Sequence, residues 1–165
     1  MKMGQILRIV ARLRSLGEQL PAEKRPAFLP GAPEDAIAAL EECLPAPLPP
    51  DFTRFLRACG GIQAMDIWNG YWIGGVPELT RSIKRYDYPS TVEENNGATP
   101  VLPIATDGGG NAFLMSLSDE TIWKWDHETG NVTAVADDFG DFLQHVIEDW
   151  EYYLANDDAW DYLSG

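Results

Sequence analysis

A chain of 165 residues, 45% of them apolar, carries enough hydrophobic material for one domain without disulfides or a structural metal. Its net charge of −14, from 12 Lys and Arg against 26 Asp and Glu, opposes binding to phosphate backbones and anionic membranes, which attract cations. Cys43 and Cys59 form no CxxC pair and read as reduced core thiols of a cytoplasmic protein, with no cofactor or metal expected.

In chain order, Met3, Ile6, Leu7, Val10, Leu13 and Leu16 recur at helical spacing. Arg8 interrupts any apolar run of a secretory leader, so the spacing predicts an amphipathic helix docked on the domain. Pro21, Pro26, Pro30 and Pro33 then mark a broken connector. A second helix is predicted from Pro33-Glu34-Asp35 to about Leu44, with Ile37, Leu40 and Leu44 as its stripe and acids at its positive end. The prolines from Pro45 to Pro50 end it, and a third helix from Asp51 turns Phe52, Phe55, Leu56 and Cys59 inward. Gly60-Gly61 is read as its stop, through glycine's access to positive φ.

A hairpin is predicted from Ala64–Trp68 and Tyr71–Gly75 around Asn69-Gly70, followed by a short helix between Val76 and Tyr86. The polar stretch from Tyr88 to Thr99 reads as a surface loop. Alternating strands at Val101–Ala105, Ala112–Leu117, Ile122–Asp126 and Val132–Ala136 suit an antiparallel meander. A last helix begins near Asp138, an N-cap with Asp141 three residues later as its capping-box partner. Its face is Phe139, Phe142, Leu143, Val146, Ile147, Trp150 and Leu154. The fold class is α+β, a mainly antiparallel sheet flanked by helices in a single domain. Residues 1–33 form a helix and Pro-rich connector, 34–154 the α+β domain, and 155–165 an acidic aromatic extension.

Two segments resemble signatures of the SUKH superfamily, which includes a yeast cell-wall-assembly and killer-toxin-resistance regulator and many bacterial toxin-immunity proteins. Leu48-Pro49-Pro50-Asp51-Phe52-Thr53-Arg54-Phe55-Leu56, ending in Cys59-Gly60-Gly61, is similar to its "LPxdyrxFLxxxnGG" segment, with Cys59 where Asn is usual. Pro103-Ile104-Ala105-Thr106-Asp107-Gly108-Gly109-Gly110-Asn111 is similar to its strand and "a-D-x-G-G" turn. Trp125-Asp126-His127-Glu128 and Phe139-Gly140-Asp141-Phe142-Leu143 resemble two further signatures in the same order. The resemblance runs from about Glu34 to Leu154 and implies an α+β fold with a protein-binding role, commonly immunity against a cognate toxin. It implies no catalytic residues.

The residues themselves point away from phosphate chemistry. Asp107 to Asn111 lacks the lysine of a P-loop and is followed by a strand, so it reads as a glycine turn with Asp107 closing an Asx-turn. Asp126-His127-Glu128 reads as a polar hairpin turn, since consecutive strand residues do not converge on one ion. A Cys59–His127 nucleophile is set aside because Cys59 falls on an apolar helical face. The expected product is therefore no enzyme.

What remains is aromatic side chains mixed with acids. Residues 1–61 hold 8 basic against 7 acidic residues, 62–136 hold 4 against 10, and 137–165 hold none against 9. Asp66, Trp68, Tyr71, Trp72, Tyr86, Asp87, Tyr88, Glu93, Glu94, Tyr152 and Trp160 are the candidate partner-binding residues. Aromatics would anchor the partner and acids would steer it. The expected function is a non-enzymatic immunity protein that occludes the basic active site of a toxin domain. The alternative is a regulatory or scaffold module recruiting several cellular proteins. Neither nucleic acid nor membrane is an expected partner, and the oligomeric state is left open.

Overall fold

The structure, a computed structural model, describes residues 3–64, 71–84, 88–94 and 97–156. The chain folds as helix α1 (Met3–Glu18), a 3-10 turn at Ala22–Lys24, strand β1 (Ala27–Phe28), helices α2 (Glu34–Glu42) and α3 (Pro50–Ala58), strands β2 (Ile62–Ala64) and β3 (Tyr71–Ile73), and helix α4 (Val76–Ile83). Strands β4 (Thr91–Glu94), β5 (Gly97–Thr106), β6 (Ala112–Ser116), β7 (Ile122–Trp125) and β8 (Val132–Ala136) follow, and helix α5 (Phe139–Asn156) closes the fold. Among the described residues every strand pairing is antiparallel, in the order β1-β2-β3-β5-β6-β7-β8, with β4 on β5. This is the α+β single-domain architecture that the pattern of helices and alternating strands predicts.

All five helices pack on one face of the sheet. Phe113 and Met115 of β6 join that core with Phe52, Phe55, Phe139, Phe142 and Trp150, whereas Ala112 and Leu114 belong to a second cluster. Strand side chains alternate between faces, so the two clusters lie on opposite sides of the sheet. In α1, Ile6, Val10, Leu13 and Leu16 are buried as their spacing predicts. Ile9 joins them, and Leu7, counted in the stripe, turns outward and is 54% exposed. The helix packs against α3 and α5, and Arg12 Nη2 reaches Glu151 Oε2 at 3.2 Å.

Several expectations need correction. The stretch read as a surface loop contains a hairpin, with Thr91 opposite Pro100 and Glu94 opposite Gly97. Only Val92 of its first strand is buried, too little apolar signal to mark a strand. Cys59 is a fully buried core thiol, but Cys43 is exposed at the end of α2. At the double glycine, Gly61 has φ +128°, whereas Gly60 is required for space, since a Cβ there would lie 2.1 Å from the Pro30 carbonyl oxygen. That close approach lets Gly60 N–H donate to Leu29 O at 2.9 Å and extends the β1 edge.

The predicted hairpin is corrected in its first strand and its register: β2 is Ile62–Ala64 rather than Ala64–Trp68, and Ala64, not Trp68, lies opposite Tyr71, while residues 65–70 lie outside the described residues. At the start of α5, Asp141 N–H donates to Asp138 Oδ1 at 2.7 Å, the predicted cap. The return bond goes one residue further back than a capping box, from Asp137 N–H to Asp141 Oδ2 at 3.1 Å.

Candidate protein-binding surface

The sheet face without helices is where the fold leaves aromatic surface uncovered. Val92, Val101, Ala112 and Leu114 form its small buried cluster, and Tyr88, Trp123, Trp125 and Val132 pack on it while half-buried. Tyr88 meets Trp125 edge to face, ring centroids 5.6 Å apart. Trp123 and Trp125 are two apart in β7 and therefore share a face. The Trp123 indole N–H is shielded from water with no acceptor among the described residues.

The charge on this face follows from register. Val92 sits opposite Thr99, and Glu94, two residues on, accepts a hydrogen bond from Thr99 Oγ1 at 3.1 Å. The lone cation in strands β4 to β8, Lys124, lies on the helix side, its Nζ 6.0 Å from the Phe113 ring centroid. The helix-free face of these strands thus combines indole, phenol and carboxylate without lysine or arginine.

Two turns shape one end of the sheet. Asp107 is 3% exposed and accepts from Gly109 N–H at 2.8 Å, Asn111 N–H at 3.1 Å and Asn111 Nδ2 at 2.8 Å. It closes its own loop, as an Asx-turn should. Gly110, at φ +104°, leaves room for His127, whose ring a Cβ would meet at 2.8 Å. His127 in turn shares Asn111 Oδ1 through its backbone N–H at 3.1 Å and ring Nδ1 at 2.7 Å. Asp126 accepts from Glu128 N–H at 2.8 Å, which holds its carboxyl below the usual range. These groups are engaged in closing the turns, and among the described residues no three His, Cys, Asp or Glu side chains gather as a metal site would require. Burial pushes the Cys59 thiol up, away from the thiolate form a nucleophile needs.

The candidate residues divide between the two sides. Tyr88 and Glu94 lie on or beside the helix-free face, whereas Glu93, one residue from Val92 in β4, alternates to the other side and is exposed. Trp72 pairs with Gln63 and packs half-buried against the helix-side core. Tyr71 is placed by its backbone in β3, and Tyr152 is 43% exposed on α5, in the helix layer. Asp66, Trp68, Tyr86, Asp87 and Trp160 lie outside the described residues. Trp123 and Trp125 are the residues that sequence reasoning missed as candidates. Their spacing of two in an alternating strand was the signal that could have found them.

The SMI1 / KNR4 family (SUKH-1) matches residues 31–145, more than two thirds of the chain. This chain belongs to the SMI1 / KNR4 family. The match runs from three residues before α2 to His145 within α5, so the SUKH-1 domain takes in strands β2 to β8 and the helix-free face. Membership supports a toxin-immunity or regulatory protein-binding domain. No curated protein matches the chain. None of the described helices is long and apolar enough to cross a membrane.

Proposed function

We infer that this SUKH-1 protein is a non-enzymatic, cytoplasmic immunity protein that neutralises a cognate bacterial toxin by covering a basic active site. The observation that carries the reading is the helix-free sheet face, with Tyr88, Trp123 and Trp125 half-buried on the side that also carries Glu94, and Lys124 of β7 turned to the opposite side. Half-buried aromatics on a rigid sheet lose little conformational entropy on binding, and each can supply about 2 kcal/mol as an anchor. A net charge of −14 draws a basic partner in and repels a polyanionic competitor.

The test is co-expression with the toxin domain encoded beside the gene. Growth should be restored, and the purified pair should bind at nanomolar affinity or tighter. Trp125→Ala, checked for folding by circular dichroism, should weaken binding by about thirtyfold, the equivalent of about 2 kcal/mol. Unchanged binding in Trp125→Ala and in Tyr88→Ala would remove this face from the interface. Several moderate-affinity cellular partners, and no sensitivity to any toxin on deletion, would instead indicate a regulatory scaffold.

A further inference from the structure

A cleft of about 530 Å³ opens beside this face, between the ends of α2 and α4 and the junction of β4 with β5. Its origin lies in how β5 is paired along one edge. β4 covers Gly97 to Pro100, and Ser90 O receives the Val101 N–H at 3.0 Å. β3 rejoins only at Ala105, with Gly74 N–H donating to Ile104 O at 2.7 Å. Between them stands Pro103, which has no N–H to offer a neighbouring strand. Pro45 and Cys43 after α2, Ile83 of α4, and Tyr88 and Thr91 complete the walls.

None of the residues lining the cleft is Asp, Glu, Lys or Arg, in a chain where 23% of residues are charged. Its flanks differ. Glu41 and Glu42 precede Cys43, and Glu93 and Glu94 follow Thr91, four acids against Arg81 before Ser82, itself bridged to Glu78 at 3.4 Å, and Lys84 and Arg85 after Ile83. Glu42 and Glu93 are exposed, and among the described residues neither pairs with a cation. An uncharged cleft of this volume is in the range that accepts a compact apolar group, and interface anchors concentrate in such pockets. Tyr88 lines the cleft and also packs on Trp125, so cleft and face are one continuous surface.

We propose that this cleft receives one large uncharged side chain, best a tryptophan, from a lysine- or arginine-rich segment of the partner protein, with the flanking glutamates holding the neighbouring cations. The proposal rests on the protein-binding reading above and deepens it. It also separates two roles: the acidic flanks discriminate by charge, and the cleft discriminates by shape.

The probe is the capped peptide Lys-Lys-Trp-Lys-Lys, titrated into the full-length protein and followed by amide shifts in 15N-labelled sample. Saturable shifts are expected at Ser82, Ile83, Ser90, Thr91 and Val101. Affinity should fall at least tenfold for Lys-Lys-Gly-Lys-Lys and for Glu-Glu-Trp-Glu-Glu. It should fall as far when the cleft is filled, by Ser90→Phe at an exposed position or by alkylating exposed Cys43, the buried Cys59 being protected. Equal binding of the glycine peptide, or shifts indifferent to filling the cleft, would overturn the proposal. Toxin neutralised equally well by Ser90→Phe would also overturn it while leaving the immunity reading intact. Peptide bound in the cleft by a protein that neutralises no toxin would sustain the cleft and sink immunity.

Discussion

Asp107 shows how much one carboxylate can hold. It is nearly buried, and three donors converge on its two oxygens. Asp107→Ala leaves those donors to find water in a tight turn, and should cost about 2–3 kcal/mol in a urea titration. Glu120 is the opposite case. Its φ is +66°, and burial, followed by the carboxylates of Asp51 and Asp138, pushes its carboxyl above the ordinary value of 4.5. The folded protein therefore holds this proton more tightly than the unfolded chain. Stability present below the unfolded value is lost as pH rises through the folded one. Glu120→Gln should raise the urea midpoint at pH 7, and the gain should vanish by about pH 4. Glu120→Gly relieves the left-handed backbone as well and should add about 1 kcal/mol more.

At the scale of elements, caps and pairings decide which segments exist. Asp138 satisfies the Asp141 N–H at the start of α5, and Asp138→Ala should lower stability by about 1 kcal/mol in thermal unfolding, with the helix retained in circular dichroism. Elements with strong periodicity were legible from sequence: the stripes of α1, α3 and α5, and the alternation of β5 to β8. Those built on weak local signal were not. β1 is two residues between Pro26 and Pro30, made a strand only by pairing with Gln63 and Ile62. β4 buries only Val92, and its partner strand contains Pro100 and Pro103. The candidate site was legible in kind, aromatics among acids, but only partly in place. Tyr88 and Glu94 are legible as neighbours because they are close in sequence, whereas Glu93 between Val92 and Glu94 alternates to the other side. Their neighbour Trp125 reaches Tyr88 through sheet register, which composition does not encode.

Across the whole molecule, charge and shape divide the work. The formal charge of −14 acts over a Debye length, about 10 Å at 0.1 M salt, so it governs encounter more than residence. Stopped-flow association with a basic partner should slow by about tenfold or more between low salt and about 0.5 M. Dissociation should change far less, because the anchoring contacts are apolar. A dissociation rate that rose in parallel with salt would mean that ion pairs, not aromatic rings, hold the complex.

The packing of α1 against α5 carries a different consequence, in the order of events during synthesis. Ile6, Val10 and Leu13 of α1 are synthesised well before α5, which brings part of their cover and the Glu151 partner of Arg12. Translation at about 5–20 residues per second therefore leaves that stripe incompletely covered for several seconds on the ribosome. The strands β5 to β8, each pairing with its neighbour in sequence, need no such wait. Synthesis of α5 is therefore the step that completes the cover of the α1 stripe.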